Sequence, residues 1–235
     1  MMAEDSRIES LAGLTCRVWD PSSKHGSRTA ILLHGRGGDE NSMAVFRTAL
    51  PADATAIMPR GPFSEPNGGY AWHAQLPNDE WPQEADFAES VLRIAALTAA
   101  LRSDSSRHDA FFVAGFSQGA AAATSFALRH RDAVAALALL AGFVADAPGA
   151  RHDELPLRGL PVFLAYGTDD ELVPALRSRH AIESLASTGA TLTTCDAPIG
   201  HKVSASCLRA LREWLVREWV VAGVADGAGR KEGFG

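Results

Sequence analysis

The stretch Phe111-Phe112-Val113-Ala114-Gly115-Phe116-Ser117-Gln118-Gly119-Ala120-Ala121-Ala122-Ala123 limits the fold more than any other part of the chain. Its opening apolar, aromatic run holds no Gly or Pro up to Ala114 and reads as a buried central strand. Gly-Phe-Ser-Gln-Gly follows at once, and then four alanines that favour helix and leave little bulk beneath the turn. A serine on so sharp a strand-to-helix turn has its Oγ pushed clear of the backbone. The flanking glycines let strand and helix cross closely. The pentapeptide alone is commonplace; its setting makes Ser117 a candidate nucleophile.

The rest of the chain alternates strand-like and helix-like segments. Strands are expected at 14–19, 29–33, 55–58, 134–140, 162–166 and 191–194. Helices are expected at 40–50 behind an Asp39 cap, at 85–101, from the elbow to about His130, at 174–187 and at 203–221. Such alternation implies a mostly parallel sheet covered by helices on both faces. No linker or internal repeat divides it. The expected organisation is an N-terminal extension over 1–13, one α/β domain over 14–221, and a flexible Gly-rich tail over 222–235.

Composition narrows the function. The 235 residues carry a net charge of −6, which argues against a nucleic-acid partner. The N-terminus has no signal-like apolar core, and the apolar run 133–144 is too short to span a bilayer. No integral membrane association is expected, and a cytoplasmic location follows as the default. Cys16, Cys195 and Cys207 are far apart, odd in number and without metal spacing, so reduced structural thiols are expected.

A neutral alcohol needs a base to become a nucleophile. Downstream of Ser117, an expected strand ends in Gly167-Thr168-Asp169-Asp170-Glu171-Leu172-Val173-Pro174. Parallel-sheet enzymes hold reactive groups just beyond such strand ends. The next strand gives way to Pro198-Ile199-Gly200-His201-Lys202. His201 is the one histidine that follows both the serine and the carboxylates in a glycine loop after a strand. A carboxylate is needed to fix its tautomer. Asp170 is favoured for that role over Asp169, which then caps the turn. His25, His108, His130, His152 and His180 are expected to be structural or surface residues.

Upstream, Leu33-His34-Gly35-Arg36-Gly37-Gly38-Asp39 follows a buried strand. Its backbone N–H groups can converge on an anion. A tetrahedral acyl intermediate needs two such donors. The N–H groups of Arg36 and of Gln118, the residue after the serine, are the candidates. Neither nucleotide-loop pattern, G-x-x-x-x-G-K-[ST] or G-x-G-x-x-G, is present.

Together these pieces resemble the serine esterases of the α/β-hydrolase fold, and more narrowly the phospholipase/carboxylesterase family that includes the acyl-protein thioesterases. The matching residues are Leu33-His34-Gly35-Arg36-Gly37-Gly38, Pro59-Arg60-Gly61-Pro62, Gly115-Phe116-Ser117-Gln118-Gly119, Gly167 to Pro174, and Gly200-His201. They run in the family's order across nearly the whole chain. The resemblance implies Ser117 as nucleophile, Asp170 as the carboxylate, His201 as base, and Arg36 and Gln118 as oxyanion donors. It also implies an α/β-hydrolase fold without a separate lid domain. Two positions depart from the family pattern: Arg36 stands where an apolar residue is common, and Lys202-Val203 follows the histidine.

The expected reaction is acyl transfer to water through an acyl-enzyme, with no cofactor and no metal. Trp72 and Phe143 are the expected substrate contacts, in a cleft that favours small or short-chain acyl esters. Thioesters and lysophospholipids are alternative substrates on the same scaffold. A non-catalytic binding protein would be expected to have lost the serine, carboxylate or histidine, and a dienelactone-hydrolase-like enzyme would carry cysteine at the elbow. The expected partner is a small-molecule acyl ester; a homodimer is left open.

Overall fold

A computed structural model describes residues 6–21, 28–77, 80–103, 110–147 and 155–228, with side chains of the last helix described to 218. His25, His108 and His152 lie outside the described residues. Eight strands form one sheet in the order β1 (Ser6–Leu11), β2 (Leu14–Trp19), β4 (Thr55–Pro59), β3 (Thr29–Leu33), β7 (Phe111–Phe116), β8 (Val134–Leu140), β9 (Pro161–Gly167) and β10 (Thr191–Ala197). From β4 to β10 every neighbouring pair is parallel; β1 and β2 join antiparallel at one edge. A small hairpin, β5 (Phe63–Ser64) with β6 (Tyr70–Ala71), stands apart from it.

Alternation along the central strands builds two cores. Ile31, Leu33, Phe111 and Val113 face one layer, formed with α1 (Ala88–Arg102), α2 (Gln118–Arg129) and α3 (Ala175–Ser187). Ala30, Leu32, Phe112 and Ala114 face the other, against Ala49 and the start of α4 (Ala205–Ala228), where Leu211, Trp214 and Leu215 are buried. Two-sided burial explains why these strands read as unbroken apolar runs. Helices on both faces of a mostly parallel sheet give the expected fold class. No described helix is long and apolar enough to cross a membrane.

Four expectations are corrected. Residues 6–11, expected in an extension, are strand β1, paired with β2 through a two-residue turn at Ala12 and Gly13, both at positive φ. Such turns match the twist of the strands they join. The helix expected over 40–50 is instead a short 3₁₀ segment, Ala44–Ala49. Asp39 accepts hydrogen bonds from the Asn41 N–H and the Ser42 hydroxyl, both at 2.9 Å, and closes a tight turn that competes with helix. Part of the expected tail is helical, since α4 runs to Ala228, and residues 229–235 lie outside the described residues.

The fourth concerns the thiols. Cys195 on β10 and Cys207 in the first turn of α4 form a disulfide, with Cα atoms 5.6 Å apart. Spacing gave no hint of it, because the chain turns back on itself between them. Cys16 is the free, buried cysteine, and loss of hydration pushes its thiol up to about 12.

Candidate active site

Ser117 directly follows β7 and stands at the N-cap of α2 with φ 53° and ψ −119°, a conformation L-residues rarely adopt. Such backbone strain costs on the order of 1–3 kcal/mol and is held only by its surroundings. Here the surroundings are tight. A Cβ at Gly115 would lie 2.1 Å from the Gly119 carbonyl oxygen, and one at Gly119 would lie 2.3 Å from that of Leu33. No side chain fits at either place, so the two glycines of the motif permit the crossing. The Ser117 N–H donates to Leu140 O at 3.0 Å, which pins the turn to β8.

Beyond β9, the segment 168–174 forms the second wall. Asp170 is 6% exposed, and its Oδ1 accepts the N–H groups of Leu172 and Val173, each at 2.9 Å. Its Oδ2 lies 2.8 Å from Nδ1 of His201. Asp169 lies in the turn instead, where the Thr168 hydroxyl donates to it at 3.1 Å. The loop carrying His201 rests on this wall: Asp169 N–H donates to Ile199 O at 3.2 Å, and Thr168 N–H to Ala197 O at 2.8 Å. Phe116 packs its ring 5.1 Å from that of His201. Among the described residues the Ser117 hydroxyl has no hydrogen bond to His201, although both line one cavity.

The third wall is the loop after β3. His34 is fully buried, and loss of hydration lowers its pKa. The neutral ring then fits its partners: Nδ1 is 2.7 Å from Gly35 O, and Nε2 accepts the Gly61 N–H at 2.9 Å. Glu40 is buried in a two-pronged pair with Arg60, at 2.7 and 2.9 Å, and that pairing draws its carboxyl below the ordinary value. The Pro59-Arg60-Gly61-Pro62 stretch thus braces the loop from behind. Gly37 N–H donates to Tyr70 O at 2.9 Å and Gly38 N–H to Gly35 O at 3.0 Å. Among the described residues no acceptor pairs with the N–H of Arg36 or of Gln118. Gln118 also opens α2, where helix partial charge is positive. Arg36 turns its guanidinium outward to Glu65, at 2.8 Å.

These walls enclose a cavity of about 400 Å³ that gathers Ser117, Gln118, His201, Gly35 and Arg36. Leu76, Trp81, Phe143, Leu172 and Val173 supply its apolar lining. A volume in this range suits a small organic ligand. Phe143 lines this cavity. Trp72 does not, and its expected contact with substrate is corrected. It is fully buried and lines no part of the cavity; its indole N–H donates to His34 O at 2.7 Å, and its backbone N–H to Gln118 Oε1 at 2.8 Å. An indole with its one donor satisfied inside the fold is an anchor.

Trp81 takes the place at the cavity wall, edge-on to Phe143 at 4.8 Å and beneath the Arg177 guanidinium at 4.4 Å. Leu172 and Val173 escaped the sequence reading, although their place just past Glu171, which follows the paired aspartates, was the available signal. His73 also reaches the cavity, while holding Ala74 O at 2.6 Å. His130 stacks on Phe126, and His180 approaches Asp146 at 3.6 Å, both away from this cavity.

Residues 15–217 match the model of a family described as Phospholipase/Carboxylesterase. The chain is 24% identical over 208 residues to Carboxylesterase SOBER1 of Arabidopsis thaliana, covering 81% of this chain and 91% of that one. It is 30% identical over 161 residues to Putative esterase NocK of Nocardia uniformis subsp. tsuyamanensis, covering 66% of this chain and 43% of that protein. A crystal structure of a carboxylesterase from Mesorhizobium loti superposes with a TM-score of 0.76 at 22% identity, covering 91% of this chain and 99% of that one.

Proposed function

Because the chain belongs to the phospholipase/carboxylesterase family and is an ester hydrolase, we propose that it hydrolyses esters of small or short-chain acids through Ser117, His201 and Asp170. The observation that carries this reading is the convergence of a strained serine, a carboxylate-held histidine and two N–H groups on one cavity.

In this mechanism Ser117 Oγ bonds to the ester carbonyl carbon while His201 Nε2 takes the hydroxyl proton. Asp170 keeps Nδ1 protonated and aims the ring. The carbonyl oxygen gains the negative charge and is held by the N–H groups of Arg36 and Gln118. The intermediate collapses as His201 returns the proton to the leaving oxygen, which departs as the alcohol. Water then attacks the acyl-enzyme, again losing its proton to His201, and the acid is released as Ser117 is reprotonated. Ser117 and His201 close to hydrogen-bonding distance on substrate binding, as catalytic pairs commonly do.

The preference for short acyl groups rests on the cavity's size and on its wall of Trp81 and Phe143. A series of p-nitrophenyl esters from acetyl to dodecanoyl tests it. The expected kcat/KM peaks among the short acids, and a steady rise to dodecanoyl contradicts the reading. Matched acetyl ester and thioester substrates then decide which leaving group is favoured.

A further inference from the structure

We propose that the preferred substrates carry an anionic group on one limb of the ester, and that Lys202 recognises it at a second cavity. The proposal rests on the esterase reading above and adds a substrate class to it.

The second cavity, of about 500 Å³, has Met43, Val45, Phe46, Val203 and Leu208 in its wall, with Lys202 beside them. It meets the first cavity at Gly35, Arg36 and Phe116, which line both. A carbonyl placed at Ser117 therefore has one space for each of its two limbs. One limb lies against Trp81 and Phe143. The other crosses Arg36 and Phe116 toward Lys202.

Charge separates the two spaces. Glu80 lines the first cavity, whereas no Asp or Glu lines the second. Arg36 borders both, but its guanidinium is paired with Glu65. Lys202 has no ion pair among the described residues. It is exposed, directly follows His201, and its own N–H donates to Gly200 O at 2.7 Å, so its backbone is set by the loop that carries the base. An ammonium at the mouth of an apolar space selects a limb with a short apolar spacer ending in an anion, a carboxylate being the simplest. Lys202 is thus a specificity-determining residue.

Two matched pairs of substrates test this. In the first, the acyl limb carries the charge: p-nitrophenyl hydrogen adipate against p-nitrophenyl methyl adipate. In the second, the leaving limb carries it: the acetyl ester of 4-hydroxyphenylacetic acid against that of its methyl ester. The wild type is expected to favour the anionic member of one pair by about fivefold in kcat/KM, as for a partly exposed ion pair. That pair identifies which limb occupies the second cavity. The preference is expected to shrink at high salt, to vanish in Lys202→Met and to invert in Lys202→Glu. A ratio near one in both pairs, or a ratio unchanged in Lys202→Met, overturns the proposal while leaving the esterase reading intact. No turnover of any of the four esters, with no labelling by a fluorophosphonate, removes that reading and this proposal with it.

Discussion

Asp170 holds His201 with one carboxylate oxygen and the backbone with the other. Its Oδ2 lies 2.8 Å from Nδ1 of His201, while Oδ1 takes the N–H groups of Leu172 and Val173. A carboxylate fixed at both oxygens cannot swing, so it dictates the ring's tautomer as well as its place. Asp170→Asn should retain the fold and lower kcat by about 10⁴, the loss expected when the tautomer is no longer enforced. Asp169→Asn should change kcat less than about threefold, because that residue serves the turn. Steady-state kinetics on both variants decide between the neighbours.

Trp72 and Phe143 should separate structure from binding. Trp72→Phe removes one satisfied hydrogen bond and leaves His34 O without its donor, at a cost of about 1–2 kcal/mol in urea unfolding. Its KM should stay within about twofold of wild type, because the residue lines no part of the cavity. Phe143→Ala should instead raise KM several-fold for the best ester.

The disulfide closes the segment that carries His201. Cys195 and Cys207 flank the loop that carries His201, with a separation of 12 residues. Closing a loop of this length stabilises by about 3 kcal/mol on the chain-entropy account. Reduction, or Cys195→Ser, should lower stability by about 2–3 kcal/mol in denaturant titrations. Because His201 loses its tether, kcat should fall several-fold with little change in KM. A reductant should have neither effect on the double variant Cys195→Ser/Cys207→Ser.

Acid should weaken the fold through His34 and Glu40. Burial lowers the pKa of His34, so below its ordinary value of 6.5 the unfolded chain binds a proton that the native chain refuses. Stability is therefore full above pH 6.5 and declines as pH falls below it. Glu40, held low by Arg60, adds a second decline below its ordinary 4.5. Urea unfolding as a function of pH should show both, and Glu40→Gln should lack the lower one while losing about 2–3 kcal/mol near neutrality.

Much of this was legible in the chain because local chemistry and global fold agree at the elbow. Phe111 to Ala123 encode a buried strand, a turn flanked by two glycine positions that admit no side chain, and a close-packed helix in one line of sequence. The loop holding Asp170 was equally readable, since it follows β9, whose burial shows as an apolar run. The loop holding His201 follows the polar edge strand β10 and was legible from its order after the serine and the carboxylates. What could not be read depends on contacts between distant segments. Trp72 looks the same whether it faces substrate or donates to His34 O, and only its burial decides. Cys195 and Cys207 have no telling spacing, and their pairing follows from how β10 turns into α4. The turn at Asp39 defeated a helical pattern through side-chain hydrogen bonds that propensity does not count.

Ser117 is the proposed nucleophile, and covalent labelling reads it without knowledge of the natural ester. Wild-type protein treated with a fluorophosphonate should gain one adduct, mapped by mass spectrometry to Ser117, with turnover of p-nitrophenyl acetate lost in proportion. Ser117→Ala should show neither label nor turnover while unfolding cooperatively like the wild type. Labelling of Ser117→Ala at the wild-type level, or turnover that survives the substitution, would mean that another residue is the nucleophile.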